Sequence, residues 1–279
     1  MREKYRDIRA DLHNHFSTRS LVLDFDRVVE RISRTLGPGG ICGFVNFEDQ
    51  RYEAFSKHAS GDRIENLGNA LYVLDKDLLI VKGQEVPTQQ GHLLVLGLEE
   101  GTHLKSGEDL EETIGEAEIN NGVIIADHPF YYQGVGEFLT TQGHDIFQRL
   151  DGFEVHNGEA AFSLPFGPLP RDANELARIA YDKFRWGSGA KVGAISSSDG
   201  HSFKEVGSSY TMLKMPSYAG FATSEDVSHY LREAVRGAVD IYKKNSKWSA
   251  FKHALALAGI IALSKTGLKK QFGDKEALR

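Results

Sequence analysis

Ala10-Asp11-Leu12-His13-Asn14-His15 is the stretch whose reading decides the fold. A strand-like run ends in two imidazoles separated by one residue. In an extended chain such residues face the same side, which suits a shared metal ion. Any His-x-His pair alone could be an exposed strand end. Four further runs end the same way: Val81-Lys82-Gly83-Gln84-Glu85, Ile124-Ile125-Ala126-Asp127-His128, Gly152-Phe153-Glu154-Val155-His156 and Ala194-Ile195-Ser196-Ser197-Ser198-Asp199-Gly200-His201. Apolar strands that stop at His, Asp or Glu describe an α/β barrel with its chemistry at the C-terminal strand ends. The recurrence favours a metal site over scattered surface histidines.

The chain has 279 residues, 41% of them hydrophobic and 26% charged, which fits a globular protein with a substantial core. Its net charge of -6 argues against a generic nucleic-acid surface, because phosphate backbones attract basic patches. Nucleic acid is therefore not an expected partner. A small anionic substrate stays open, since bound cations reverse the local field. Cys42 is the single cysteine, so no internal disulfide can form. The N-terminus has no apolar signal-like run, and a cytoplasmic location is expected. The apolar stretch 254–263 is shorter than the about 20 residues that span a bilayer, so no membrane is expected.

Periodicity predicts strands at Asp7–Leu12, Ile41–Val45, Leu78–Val81, His92–Leu98, Val123–Ala126, Phe153–Val155, Val192–Ser196 and Val239–Tyr242. Helices are predicted over Asp24–Leu36, Ile64–Leu74, Leu110–Ile119, Asn174–Arg185 and Ser224–Arg236. Ser224 is the expected N-cap, and Leu176, Ile179 and Ala180 the buried face of their helix. Pro87-Thr88-Gln89-Gln90-Gly91 reads as a hairpin. A basic, apolar helical tail is expected over Lys247–Lys270. The division is a barrel domain over 1–245 and a helical tail over 246–279, the tail being a possible homo-oligomer contact.

These elements, in this order, resemble the PHP (polymerase and histidinol phosphatase) family. The match runs through ADLHNHFSTRS at 10–20, GQE at 83–85, GHLLVLGL at 91–98, ADHP at 126–129, FEVHNG at 153–158 and SSDGH at 197–201. The resemblance implies a distorted (β/α)7 barrel and a metal-dependent phosphoesterase. It implies that His13 and His15 ligate one metal and that Glu85 bridges two. His92 and His128 would hold the second metal, and Asp199 and His201 would close the cluster. Glu85, His128 and Asp199 would carry the catalytic roles. Two to three divalent ions are expected, with zinc, manganese and iron all compatible with mixed imidazole and carboxylate ligands.

One segment departs from the family pattern. Where a Thr-Asp-His motif is usual, the chain reads Phe44-Val45-Asn46-Phe47-Glu48-Asp49-Gln50. Glu48 and Asp49 stand at the ligand positions, as ligands or as solvated loop residues, and Asn46 is the other candidate. Without the histidine, protonation of a leaving group falls to another group or to water. Arg19 is a candidate phosphate clamp, with an ordinary exposed arginine as the alternative. Glu154 and His156 are candidates to orient ligands from behind. Asn157 would bond a ligand or form a turn. His58, His103, His144, His229 and His253 read as surface or packing residues. The leading expectation is hydrolysis of a small phosphorylated metabolite by an activated water. The alternatives are a PHP-type exonuclease or nucleotide phosphodiesterase, and a non-catalytic metal- or ligand-binding protein.

Overall fold

The computed structural model describes residues 5–16, 25–47, 50–161 and 173–243. In chain order the elements are β1 (Arg6–Asp11), α1 (Phe25–Leu36), β2 (Ile41–Asn46), α2 (Arg51–Ser56), β3 (Ile64–Asn66), β4 (Ala70–Val73), β5 (Leu78–Thr88), β6 (Gly91–Leu96), α3 (Leu110–Ile119), β7 (Val123–Ala126), α4 (Gly136–Thr141), α5 (His144–Phe147), β8 (Gly152–Asn157), α6 (Ala173–Ser188), β9 (Gly193–Ser197), β10 (Ser209–Met215), α7 (Ser224–Arg236) and β11 (Asp240–Lys243). One 11-stranded sheet follows the path β11-β10-β1-β2-β5-β6-β7-β8-β9, with β3 and β4 off that path. β1, β2 and β5 pair in parallel, as do β7, β8 and β9. β6 and β10 run against their neighbours. The nine-strand path, rather than a count of βα units, therefore describes the barrel.

The barrel is nearly closed by hydroxyl groups. Ser196 N donates to Thr211 Oγ1 at 2.8 Å, and that hydroxyl donates back to Ser196 O at 3.0 Å. Ser196 Oγ reaches Tyr242 O at 3.1 Å. These bonds tie β9 to β10 and β11. Beyond the strands, His15 N donates to Gly200 O at 2.7 Å, so the loops after β1 and β9 also meet.

Alternation along the strands sorts residues onto two faces. Ile8, Ala10, Val81, Leu94, Leu96 and Ile195 form one core cluster with Val227, Leu231 and Val235 of α7. On the opposite face Cys42, Phe44 and Ile80 pack against α1, and Val95, Ile124 and Phe153 against α3 and α6. Glu85 pairs with Leu94, and Glu154 with Ile195, so both acids share the face of the first cluster. Gly43 is obligatory on β2, because a Cβ there would lie 2.0 Å from the Leu12 carbonyl, next to His13.

Three local expectations fail. The segment 64–74 is not a helix but the β3–β4 hairpin. Asn66 Oδ1 accepts from Gly68 N at 2.9 Å, and Gly68 at φ +88° reverses the chain. Tyr72 and Val73 then pair with β5, where aromatic and β-branched side chains fit a sheet. In α6 the buried face is Ala173, Ala177, Ala180, Tyr181 and Phe184, while Leu176 and Ile179 are exposed. In α7 the cap is Thr223, one residue early. Thr223 Oγ1 accepts from Asp226 N at 3.3 Å and Thr223 N donates to Asp226 at 3.1 Å, a reciprocal capping box. The hairpin at 87–91, α3 and β7 match their expected bounds closely. The expected boundary near residue 245 and the tail after it lie outside the described residues, as do Arg19, Glu48 and Asp49.

An internal ion pair braces β5 against α2. Lys82 is fully buried, with Nζ 2.7 Å from Glu53 Oε1 and 2.7 Å from each of the Glu99 and Thr102 carbonyls. Burial opposes the Glu53 charge, but Lys82 outweighs it and holds that carboxyl below its ordinary value. Lys82→Met leaves this carboxylate uncompensated, and the expected loss in chemical denaturation is about 3–5 kcal/mol. The double variant Lys82→Met/Glu53→Gln should recover part of it. A single variant as stable as the parent would show that the pair does not brace the fold.

Candidate metal centre

The C-terminal strand ends gather acids and imidazoles into one buried cluster. The loop after β1 delivers His13 and His15, with Nε2 atoms 2.9 Å apart. β5 delivers Glu85. Its Oε2 lies 2.8 Å from His15 Nε2 and 3.6 Å from His13 Nε2, and its Oε1 lies 3.1 Å from His128 Nε2. His92, on β6, bonds the same Oε1 through Nδ1. Asp199, after β9, places Oδ1 3.6 Å from His13 and 3.7 Å from His15.

Ligand atoms of His13, Glu85, Asp127 and His128 all lie within 4.8 Å of one another, and so do those of His13, His15 and Asp199. The two groups share His13. His92 and His201 fall outside both. His201 Nδ1 donates to the Asp199 carbonyl at 3.0 Å and stays 4.0 Å from its Oδ1. Its ring nonetheless lies 5.3 Å from that of His15.

Asp127 is the residue that sequence reasoning passed over. Strict alternation lets only one of two neighbouring side chains face a site. His128, however, adopts φ 26°, in the left-handed region, and both side chains approach Glu85. The adjacent Asp-His pair at a strand end was the available signal. Asn157 takes the ligand-bonding one of the two readings its sequence left open. A bulge between Glu154 and His156 shifts the register of β8, so Asn157 rejoins Glu154 at the cluster. Its Nδ2 donates to Glu154 Oε2 at 3.0 Å and to Asp199 Oδ2 at 3.1 Å.

Glu154 acts as expected of an orienting group. Oε1 accepts from His13 Nδ1 at 3.2 Å and from Ser197 Oγ. Oε2 accepts from His128 N at 2.7 Å. Asn46 is committed elsewhere: Oδ1 caps Tyr52 N at 2.7 Å and Nδ2 bonds Glu53 at 2.9 Å. In its place Phe47 stacks on His15, rings 4.0 Å apart and 5° from parallel.

The electrostatics are those of a cation site held together by protons. Burial opposes charge on His13, yet Asp199 and Glu154 hold its pKa well above the ordinary value. Burial likewise opposes charge on His128, but Asp127 and Glu85 raise it to about 10. Burial and the other imidazolium take His15 down to about 4 despite Glu85. Glu85 is held well below the usual carboxylate range, its four neighbouring imidazoles outweighing burial. Burial and the Glu85 charge push Asp127 up to about 7.

A divalent ion fits these residues. Both Asp127 oxygens are buried without a hydrogen-bond partner. Two imidazole nitrogens face each other at 2.9 Å beside Glu85, a contact that only a shared proton or a cation explains. Burying several charges is otherwise costly. The clusters can hold metal ions, and imidazole–carboxylate sets suit zinc, manganese or iron.

No family model and no curated protein matches the sequence. Solved structures do. The chain is similar to Endonuclease Q in complex with a 27-mer duplex substrate carrying an abasic lesion at the active site, at 14% identity and TM-score 0.54. It covers 86% of this chain and 58% of that one, so the chain spans little more than half of the endonuclease. The lesion-specific endonuclease PfuEndoQ from Pyrococcus furiosus aligns at 15% identity and TM-score 0.50, over 85% of this chain and 57% of that one. PsfC from Pseudomonas syringae PB-5123 aligns at 14% identity and TM-score 0.53, over 93% of this chain and 99% of that one. At these identities the likeness is one of fold. It corrects the expectation that acidic composition excludes nucleic acid in favour of a small substrate. The Endonuclease Q complex carries a 27-mer duplex substrate with an abasic lesion at its active site. Net charge averages the whole surface, whereas a substrate meets the field of the site.

Binding of divalent ions to the folded form alone raises stability by linkage. Saturating manganese or zinc should raise the Tm by about 5–10 °C, and a chelator should reverse it. Glu85→Gln should remove most of that shift. A parent protein with no metal-dependent shift would count against the centre.

Proposed function

We propose that this chain is a metal-dependent phosphodiesterase acting on nucleic acid. The observation that carries the reading is the pair of ligand groups sharing His13, set at the strand ends of a fold that Endonuclease Q also has. The PHP resemblance supports it, since His13, His15, Glu85, His128 and Asp199, five of its residues, fall in those two groups. His13, His15, Glu85, Asp127, His128 and Asp199 would hold the ions, with His92 fixing Glu85 and His201 beside Asp199. Divalent ions bound there would neutralise a phosphodiester, acidify a water and stabilise a leaving oxygen.

The remaining work belongs to the chain itself. Glu85, in contact with imidazoles of both groups, would set their separation. Glu154 would keep His13 in the tautomer that turns Nε2 toward the cluster. Asn157 would hold Asp199 in place through its Oδ2. Arg19, outside the described residues, remains a candidate clamp for a phosphate.

The test is cleavage of end-labelled oligonucleotides by protein loaded with manganese, zinc or iron. Single strands, duplexes and duplexes with an abasic site should be compared across salt concentrations. We expect metal-dependent cleavage that a chelator abolishes and that Glu85→Gln lowers by at least about 100-fold. Hydrolysis of phosphorylated metabolites with no cleavage of any oligonucleotide would overturn the reading.

A further inference from the structure

A nucleic-acid strand brings more than one phosphate to the centre. The scissile group would sit at the ligand cluster, and its neighbours along the strand would still meet the acids Glu85, Asp127 and Asp199. A cation placed just outside the two ligand groups would offset that repulsion. Arg51 stands in such a place.

The segment after β2 builds the position. Asn46 Oδ1 accepts from Tyr52 N at 2.7 Å, and its Nδ2 donates to Glu53 at 2.9 Å. Ala54 N donates to Gln50 O at 2.9 Å, which closes the first turn of α2. Glu53 is held in turn by the buried Lys82. The backbone of Arg51 is therefore fixed, between a residue that accepts in this turn and one that Asn46 caps.

A ring fixes the side chain. Phe47 lies flat on His15, with centroids 4.0 Å apart and planes 5° from parallel. Arg51 Cζ stands over Phe47, 5.1 Å from its centroid. With one face of Phe47 against His15, the guanidinium has the other face to stand over. The order is imidazole, phenyl, guanidinium, so Arg51 lies one aromatic layer away from His15. His15 is buried, while Phe47 and Arg51 are half-buried, and the stack thus leads outward from the centre. The phenyl layer keeps the guanidinium apart from the carboxylates, which an arginine would otherwise contest with an ion. An arginine neither ligates an ion nor gives up its proton, so the position calls for an anion. The ring attracts the cation without supplying an oxygen, and the fork of N–H donors suits two oxygens of one phosphate.

We propose that Arg51 binds a phosphate next to the scissile one, and so favours a strand of several nucleotides over a lone phosphodiester. This rests on the phosphodiesterase reading above and assigns it a specificity-determining residue.

The test reads binding and cleavage separately. Binding is the fluorescence anisotropy of a labelled single-stranded oligonucleotide across salt concentrations. Cleavage is followed, with manganese, on that strand and on a dinucleotide whose single phosphodiester has no neighbouring phosphate. Arg51→Met should raise the oligonucleotide Kd by about 10-fold at low salt and lower the slope of log Kd against log salt by about 0.7, the share of one phosphate contact. Its oligonucleotide KM should rise while kcat stays within about 3-fold, and the loss should be confined to that substrate. Arg51→Lys should recover the salt slope but only part of the affinity, since an ammonium lacks the fork. The control Arg34→Met removes an equal charge in the last turn of α1, at the opposite end of the barrel from the centre, where Arg34 pairs with Glu30. It should leave Kd and slope unchanged. An unchanged slope in Arg51→Met, an equal loss on the dinucleotide, a fall in metal content, or the same effect from the control would each overturn the role. A parent that binds the strand through Arg51 but cleaves nothing with any metal would sink the phosphodiesterase reading alone, and one that binds no strand would sink both.

Discussion

Glu154 carries a carboxylate into the fully buried end of β8, and four donors converge on it. His13 and Ser197 bond one oxygen, the His128 amide and Asn157 the other. An unpaired buried carboxylate would cost far more than the fold can spare, so these donors cannot be released singly. They come from the ends of β1, β7, β8 and β9. One anion therefore fixes the mutual position of four strand ends, with His13 outweighing burial to keep it ionised. The imidazole of His13 gains its orientation from this bond, and both ligand groups gain theirs from His13.

The departure after β2 has a packing explanation. Asn46 is bound at both ends of its amide, and the Glu53 it holds is the partner of the buried Lys82. The segment is thereby committed to bracing α2 against the opposite face of β5. What it offers the centre is a ring: Phe47 covers His15, and the Arg51 guanidinium stands 5.1 Å over Phe47. An aromatic lid over an imidazole limits water on that side without supplying a ligand.

Much of this was legible in the sequence because strand ends and ligand residue types coincide there. His13, His15, Glu85, His128 and Asp199 each follow an apolar run, and a period of two places them on one side. What was not legible follows from local breaks in that period. The left-handed backbone at His128 brings in Asp127, and the bulge in β8 decides for Asn157 between bonding a ligand and only forming a turn; neither can be read from alternation. The segment 64–74 has enough apolar residues for either element, and only pairing with β5 decides for strands. Strand β10 was overlooked, although its buried positions Ser209, Thr211, Leu213 and Met215 alternate, because two of them are polar. Of the two, the Thr211 hydroxyl ties β10 to β9 and so closes the barrel rather than filling a core.

Asp11, at the end of β1, accepts from Ser198 N at 2.9 Å and from Gly207 N at 2.7 Å. These bonds join residues 187 and 196 positions apart in the chain. Contacts of such sequence separation are made only after the loop-closure entropy has been met, and they form slowly. The hairpin of β5 and β6, by contrast, carries Glu85 and His92 together on neighbouring strands and needs no distant partner. The two halves of the centre thus belong to different stages of folding. A chain still emerging from synthesis holds Glu85 and His92 early, but it lacks Asp199 until 107 residues beyond His92 have been made. Any ion captured by the full set meets a barrel that has already closed, and premature capture by a partial set is a hazard confined to the early hairpin.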